Sequence, residues 1–237
     1  MQIPPRLKKI IKPFAEQVGF YWPVYREKRA LQKARMGVAV RLRARPGRLA
    51  ILGCGAMGST IARSVHHLPG WSVGPLFDMM REAAERLSRS FPGSAVAEDE
   101  RAFFDAARTA DVLAIATTAD THLSSTLRAM ELGVRTILLE KPVATSLADA
   151  DAVIEAADRT GARVAVDHTR RWLPSGEGLR RLVGGVLGPP RAIHFVYGRA
   201  GFAMIGTHLF DLARWLIGSD IAVLRAELDA DAGVNKR

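Results

Sequence analysis

The stretch Arg48-Leu-Ala-Ile-Leu-Gly53-Cys-Gly55-Ala-Met-Gly58 decides the fold. It indicates a short buried strand, a glycine turn and the start of a helix, and its glycines have the G-x-G-x-x-G spacing. The first glycine allows a tight turn, the second lets the backbone approach a pyrophosphate, and the third lets the helix pack closely on its strand. We therefore assign to a dinucleotide-binding loop the residues Gly53, Gly55, Ala56, Met57 and Gly58.

An acidic residue ends the next predicted strand. Asp78 lies twenty positions after Gly58 and directly follows Trp71–Phe77. A carboxylate there accepts hydrogen bonds from the adenosine ribose of NAD and repels the 2′-phosphate of NADP, so NAD is the favoured cofactor. The alternative is that Asp78 only caps the helix predicted for residues 79–91. Because Pro75 removes a ladder donor, we expect this strand to be short or bulged.

Composition limits the class of protein. The 237 residues are 48% apolar, which is enough to bury a full core, and no apolar run approaches the ~18 residues of a membrane span. Cys54 is the single cysteine, so an internal disulfide is excluded and a reducing compartment is favoured. We therefore expect a cytoplasmic location, and we predict no metal site.

The positive charge belongs to the N-terminal end. Residues 1–48 carry 13 Lys and Arg and two acids, a net charge of +11. The whole chain has a net charge of +10, so the remaining residues are nearly neutral. Residues 1–47 are predicted to form a basic helical extension. Three roles remain open: docking onto the body, lying on an anionic membrane surface through residues 1–37, and binding nucleic acid. The last is the least favoured, because no nucleic-acid-binding motif accompanies the charge.

Strands and helices alternate along the rest of the first part of the chain. This pattern predicts an α/β fold, a doubly wound parallel Rossmann sheet of six strands, over residues 48–174. Residues 175–237 are predicted to be a short, incomplete α+β part with strands at 191–197 and 221–228. The further predicted strands are 94–97, 111–116, 134–139 and 162–167, and the predicted helices are 101–107, His122–Glu131, 147–159, 176–183 and 207–217.

Two segments resemble a known family. Leu138-Leu-Glu140-Lys141-Pro142 ends the fifth predicted strand, and Gly206-Thr-His208-Leu-Phe-Asp211 opens a predicted helix. Together with the glycine loop they resemble the glucose–fructose oxidoreductase / inositol dehydrogenase (Gfo/Idh/MocA) family over roughly residues 48–228. The C-terminal domain of the family is a large open sheet, and this chain stops well short of completing it. The edge after 221–228 is therefore expected to need a second copy or another protein as a partner.

The resemblance implies roles for individual residues. Lys141 would polarise the forming carbonyl or relay its proton, and His208 would act as the base. Glu140 would touch the nicotinamide ribose. Arg171 and Asp211 are assigned to the substrate side, although Asp211 is better suited to orienting its helix. The turn after the fourth strand resembles the Thr-Pro-Asn-x-x-His motif of the family, which adds to the cofactor-binding residues Thr117, Thr118 and His122.

The sequence also departs from the family pattern. Met204 stands where an aspartate often binds substrate hydroxyls, and the Pro and Asn of the turn motif are replaced by Thr118 and Ala119. The leading hypothesis is an NAD-dependent oxidoreductase acting on a secondary hydroxyl of a sugar, cyclitol or sugar derivative. The alternative is a non-catalytic dinucleotide-binding sensor or scaffold. A methyltransferase is disfavoured, because Ile51 and Leu52 occupy the strand position where that fold needs an acid.

Overall fold

The computed structural model describes residues 46–185, 187–196 and 202–219. The chain divides into two compact units between Asp167 and His168, whereas the sequence-based domain boundary lies at residue 174. Two predictions fall outside the described residues: the basic extension with its membrane or nucleic-acid role, and the strand at 221–228 with its partner. Within the described ranges, no helix combines the length and the apolar character needed to cross a bilayer.

The first unit is a parallel sheet of six strands in the order β3-β2-β1-β4-β5-β6. This order confirms the predicted doubly wound Rossmann fold. The strands are β1 Gly47–Leu52, β2 Trp71–Phe77, β3 Ala95–Val96, β4 Val112–Ile115, β5 Thr136–Leu139 and β6 Arg163–Val166. The helices between them are α1 Ala56–His66, α2 Arg81–Ser88, α3 Glu100–Ala107, α4 His122–Glu131 and α5 Leu147–Thr160.

Apolar residues bury the sheet on both faces. One cluster packs Leu52, Leu113 and Ile137 with side chains of α3, α4 and α5, and the other packs Ile51 and Leu76 with side chains of α1 and α2. Burial on both faces explains why the central strands are continuous apolar runs rather than alternating ones. The carboxyl ends of β1, β2 and β4 consequently lie side by side at one edge of this core.

Pro75 distorts strand β2 without ending it. The pairing of β2 with β1 shifts register between Leu49, opposite Val73, and Ile51, opposite Leu76. The extra residue falls at the Gly74-Pro75 step, and Pro75 itself lies opposite Ala95 of the two-residue strand β3. A proline lacks a ladder donor, so an irregular register at this step is the expected adjustment.

The second unit, as far as it is described, is helical. Its helices are α6 Thr169–Trp172, α7 Pro174–Gly184 and α8 Phe202–Ile217. The guanidinium of Arg180 on α7 lies 4.9 Å from the ring centroid of Trp215 on α8. The predicted strand at 191–197 is wrong for its described residues, 191–196, which have no strand structure. A segment rich in strand-forming residues becomes a strand only when a neighbouring strand supplies hydrogen bonds, and none is described beside it.

Candidate functional site

A crevice opens where β1, β2 and β4 end. Its volume is about 340 Å³, within the range of small-molecule sites. The strand order reverses between β1 and β4, which is the point where doubly wound sheets bind their ligands. The crevice is lined by Leu52, Gly53, Gly55, Phe77, Asp78, Met79, Glu100, Ala116, Thr117, Thr118, Thr121 and Ser125.

The three glycines of the loop meet different surroundings. Gly53 has φ +92°, and a Cβ on it would lie 2.6 Å from the carbonyl of Ala116. A Cβ on Gly58 would overlap the carbonyl oxygen of Gly53. A Cβ on Gly55 would meet no described atom within 4 Å. Packing therefore requires the first and third glycines, while the second leaves open space beside the crevice.

The N-terminus of α1 suits an anion. All residues of α1 are described; its first turn contains no acid, and Gly55 provides no side-chain cap. The positive end of the helix dipole and the first N–H groups therefore receive no carboxylate and no side-chain cap from the helix itself. A pyrophosphate bound against Gly55 would supply the missing acceptors. The glycine loop thus fits the pyrophosphate of NAD both in shape and in charge.

Asp78 is held by the loop that it faces. Its Oδ2 accepts a 2.7 Å hydrogen bond from the Cys54 amide, and its Oδ1 accepts a 2.8 Å bond from the Met80 amide. A carboxylate has about four acceptor sites, so each oxygen retains one for a ribose hydroxyl. Asp78 therefore ties β2 to the glycine loop and still presents acceptors to the crevice.

The cysteine of the loop stays protonated. Burial and the charge of Asp78 raise the pKa of the Cys54 thiol to about 12, and the thiol donates a hydrogen bond to the Phe77 carbonyl. The Sγ atom lies 3.6 Å from that carbonyl oxygen. A thiol that remains protonated at neutral pH is a poor nucleophile, so Cys54 serves the loop as a small buried side chain.

Sequence reasoning did not assign seven of the twelve lining residues to the site, among them Met79, Glu100 and Thr121. The side chain of Met79 is 93% exposed although it is large and apolar. Its position directly after Asp78, at the mouth of the predicted crevice, could have indicated that Met79 lines the site. Glu100 begins α3 and carried no motif, so only the folded chain reveals its proximity.

His122 holds two loops together from behind the crevice. It is 1% exposed and is not among the lining residues. Its Nδ1 lies 2.7 Å from the carbonyl oxygen of Pro142, and its Nε2 lies 3.2 Å from that of Thr117. The turn after β4 and the turn after β5 are therefore linked through one buried ring. His122 therefore contacts the turn that borders the crevice through the Thr117 backbone and does not line the crevice itself.

Glu140 and Lys141 follow β5. Glu140 is 7% exposed, and its carboxylate accepts a hydrogen bond from the Lys141 amide. Burial raises the pKa of the Glu140 carboxyl, and the nearby Asp167 adds to the shift, while Lys141 and His122 oppose it. Lys141 is the single lysine between residues 46 and 219. The end of β5 thus places the one ammonium group of this region beside a buried carboxyl.

The raised pKa of Glu140 predicts a pH-dependent effect on stability. The folded state binds this proton more tightly than the unfolded state, so the carboxyl lowers stability as the pH rises above its ordinary pKa of 4.5. Glu140→Gln keeps an acceptor for the Lys141 amide and removes the charge. We expect this variant to gain unfolding free energy relative to wild type at pH 7 and not at pH 4.

Urea unfolding of both proteins at the two pH values measures this difference. Glu131→Gln, which removes an exposed carboxyl at the end of α4, is the matched control. An equal loss of stability for Glu140→Gln at pH 4 and pH 7 would contradict the prediction, because it would show that the buried charge contributes nothing unfavourable.

The remaining candidates lie in the second unit. Arg171 on α6 donates two hydrogen bonds to the Asp211 carboxylate on α8, from Nε at 2.6 Å and from Nη2. His208, one turn before Asp211, packs against His168, with ring centroids 5.7 Å apart and planes at 83°. The charges of Arg171 and Asp211 thus satisfy each other and fix α6 to α8. His168 carried no sequence motif and was missed.

A comparison with protein families decides the assignment. Residues 47–168 match the family model described as "Oxidoreductase family, NAD-binding Rossmann fold". The chain belongs to the Gfo/Idh/MocA family. The resemblance drawn from the glycine loop, Glu140-Lys141-Pro142 and the His208 segment is thereby confirmed, and the first unit is the NAD-binding domain of the family.

Relatives within the Gfo/Idh/MocA family are named as dehydrogenases of polyhydroxylated compounds. Inositol 2-dehydrogenase 4 of Saccharopolyspora erythraea is 33% identical over 190 residues, 75% of this chain and 56% of its own length. The D-apiose dehydrogenase of Paraburkholderia graminis is 29% identical over 199 residues, 75% of this chain and 51% of its own length. The chain therefore spans little more than half the length of these relatives.

Solved structures of similar proteins share the fold. An oxidoreductase of Agrobacterium radiobacter in complex with NAD+, L-tartaric acid and magnesium superimposes with a TM-score of 0.65 at 21% identity, covering 73% of this chain and 55% of that one. A putative myo-inositol dehydrogenase of Sinorhizobium meliloti gives a TM-score of 0.62 at 25% identity, with 73% and 56% covered.

Proposed function

We propose that the chain is an NAD-dependent oxidoreductase that transfers a hydride between the nicotinamide and a secondary hydroxyl or carbonyl group of a cyclitol, sugar or sugar derivative. The observation that carries this proposal is the crevice of the first unit, where Gly55 and the uncapped N-terminus of α1 adjoin the Asp78 carboxylate. The names of the relatives, inositol 2-dehydrogenase and D-apiose dehydrogenase, support a polyhydroxylated substrate.

Different residues of the crevice bind different parts of NAD. The first N–H groups of α1 bind the pyrophosphate, and the two Asp78 oxygens accept from the adenosine ribose hydroxyls. Thr117 and Thr118 line the crevice below β4, and His122 fixes their turn through the Thr117 carbonyl. Glu140, at the end of the neighbouring strand, is assigned to the nicotinamide ribose. The bound NAD supplies the hydride acceptor in one direction and the donor in the other.

Lys141 and His208 act on the substrate hydroxyl and its proton. Removing a hydride from a carbon that bears a hydroxyl requires that the O–H proton also leave. In our proposal His208 accepts this proton, because an imidazole titrates near neutral pH. The Lys141 ammonium stabilises the negative charge that develops on the oxygen. Asp211 and Arg171 position the His208 helix through their ion pair, and Arg171 borders the substrate.

The cofactor half of the proposal predicts a selective effect of Asp78. Asp78→Ser removes the acceptors for the ribose hydroxyls and also the charge that repels a 2′-phosphate. We expect NADH to bind at least about tenfold more weakly, a loss of ~1.4 kcal/mol, while NADPH loses less or gains. Nicotinamide fluorescence during titration of wild type and variant with both dinucleotides measures the four affinities.

Equal losses for NADH and NADPH would contradict the role of Asp78 in cofactor choice and would leave it a purely structural link to Cys54. The substrate half is tested by following NAD+ reduction at 340 nm, the absorbance of NADH, with myo-inositol and D-apiose as probes. Tight NADH binding without turnover on either polyol or other sugars would favour the non-catalytic dinucleotide-binding alternative.

A further inference from the structure

A second cavity lies on the outer side of the glycine loop, between α1 and α2. Its volume is about 300 Å³. Ser59 and Arg63, four residues apart on one face of α1, line one wall, and Arg86 and Ser90 line the other. Cys54 and Gly55 form its floor at the loop. Helix α1 thus contributes one guanidinium and one hydroxyl to the cavity, α2 contributes a second guanidinium, and Ser90 adds a hydroxyl from the turn after α2.

The charge of this cavity is unbalanced. No carboxylate is among the described residues that line it. Arg63 and Arg86 form no ion pair with any residue that the structure describes, whereas Arg81 pairs with Glu85 at 2.9 Å and Arg128 with Glu100 at 3.4 Å in the same unit. Two exposed arginines therefore line this space, and no described carboxylate lines it with them.

We propose that the cavity between α1 and α2 binds a phosphate group. Guanidinium groups present planar forks of N–H donors that match phosphate oxygens, and two of them offset the two charges of a phosphate monoester. The Ser90 hydroxyl supplies a further donor, whereas the Ser59 hydroxyl donates to the Cys54 carbonyl at 3.4 Å. A neutral ligand of similar size would leave both arginines unpaired, so the chemistry of the cavity favours a dianion.

The phosphate has two sources that the position of the cavity allows. Gly55 lines both this cavity and the dinucleotide crevice, so the two spaces adjoin at the loop. The ligand is then either a free phosphate or phosphorylated metabolite, or the 2′-phosphate of NADP(H). The first source places an anion-sensing site beside the cofactor loop. The second source would let the chain bind NADP(H) although the Asp78 carboxylate repels a 2′-phosphate in the crevice.

The first experiment titrates the full chain with inorganic phosphate by calorimetry at pH 7.5, with sodium chloride holding the ionic strength constant. It needs neither dinucleotide nor turnover, so its failure is distinct from failure of the proposed oxidoreductase activity. We expect saturable binding to wild type and a loss of about tenfold for each guanidinium removed in Arg63→Gln/Arg86→Gln.

The matched control is Arg89→Gln/Arg108→Gln, which removes the same charge from exposed positions outside the cavity. We expect it to bind phosphate like wild type. Thermal unfolding of all three proteins checks that the exposed substitutions leave the fold intact. The proposal is overturned if wild type shows no saturation, or if the cavity variant and the control bind phosphate equally well.

Titration with NADH and NADPH then separates the sources. If the 2′-phosphate occupies the cavity, inorganic phosphate competes with NADPH and not with NADH, and the cavity variant loses affinity for NADPH alone. If a free phosphate occupies it, the variant binds both dinucleotides like wild type and loses only inorganic phosphate. Either pattern supports the cavity as a phosphate site and identifies its ligand.

Discussion

Replacing Lys141 by alanine is expected to lower kcat/KM for any accepted polyol by about 10²- to 10⁴-fold, the usual contribution of a positioned acid or base. No other lysine lies among the residues that the structure describes, so none of them supplies a second ammonium. Affinity for NADH should stay unchanged, because Lys141 does not line the dinucleotide crevice. Initial rates of NAD+ reduction and an NADH fluorescence titration of the same variant measure both quantities.

Two further substitutions separate charge from proton transfer at Lys141. Lys141→Arg keeps a positive charge that does not release its proton near neutral pH, and Lys141→Met keeps the aliphatic stem without the charge. Recovery of activity by arginine would assign Lys141 to polarising the carbonyl, and equal loss in both would assign it to moving the proton. Unchanged turnover in Lys141→Ala would rule out the proposed role altogether.

Local patterns predicted most of the fold because neighbouring residues carry them. Helix α4 begins and ends where its apolar periodicity predicts, at His122 and Glu131. Strand β2 has its predicted bounds, and the expected irregularity occurs beside Pro75. Strand β3 is shorter than the predicted 94–97, because at the sheet edge it pairs with one neighbour only. Elements specified by several consecutive residues were therefore predictable.

The contacts that shape the site were less predictable because they join distant segments. The sequence motif identified Asp78 as a ribose ligand, yet gave no indication that its carboxylate also holds the Cys54 amide. The buried ring of His122 between the Thr117 and Pro142 carbonyls depends on how two turns meet after folding. The same holds for His168 beside His208. Residue type and spacing predict which elements form, whereas these pairings depend on tertiary packing.

The incorrect strand at 191–197 has the same cause. Its residues include the β-branched and aromatic types that favour strands, but a strand is stabilised by hydrogen bonds to a neighbour, which a local pattern cannot supply. Helix α8, in contrast, forms all its backbone hydrogen bonds within its own segment, and it begins earlier than the predicted residue 207. Helices, whose hydrogen bonds are internal, are therefore predicted more reliably from sequence than strands, which require a neighbouring strand.

The second and third glycines of the motif, Gly55 and Gly58, are expected to respond differently to alanine. At Gly58 the added Cβ overlaps the Gly53 carbonyl oxygen, so α1 must move away from β1. We expect Gly58→Ala to lose about 1–3 kcal/mol of unfolding free energy, the usual cost of overpacking. Its melting temperature should fall by several degrees, and NADH binding should weaken because the loop is displaced.

At Gly55 the added Cβ meets open space, and φ of −68° is allowed for alanine. We expect Gly55→Ala to keep its stability within about 1 kcal/mol, the scale of a lost N-cap preference. Its NADH affinity should fall at least about tenfold, because the methyl group stands where the pyrophosphate approaches. Thermal unfolding and NADH titration of both variants give the four numbers. A Gly55→Ala protein that binds NADH like wild type would show that the pyrophosphate does not approach this glycine, and the assignment of the crevice would then fail at its central point.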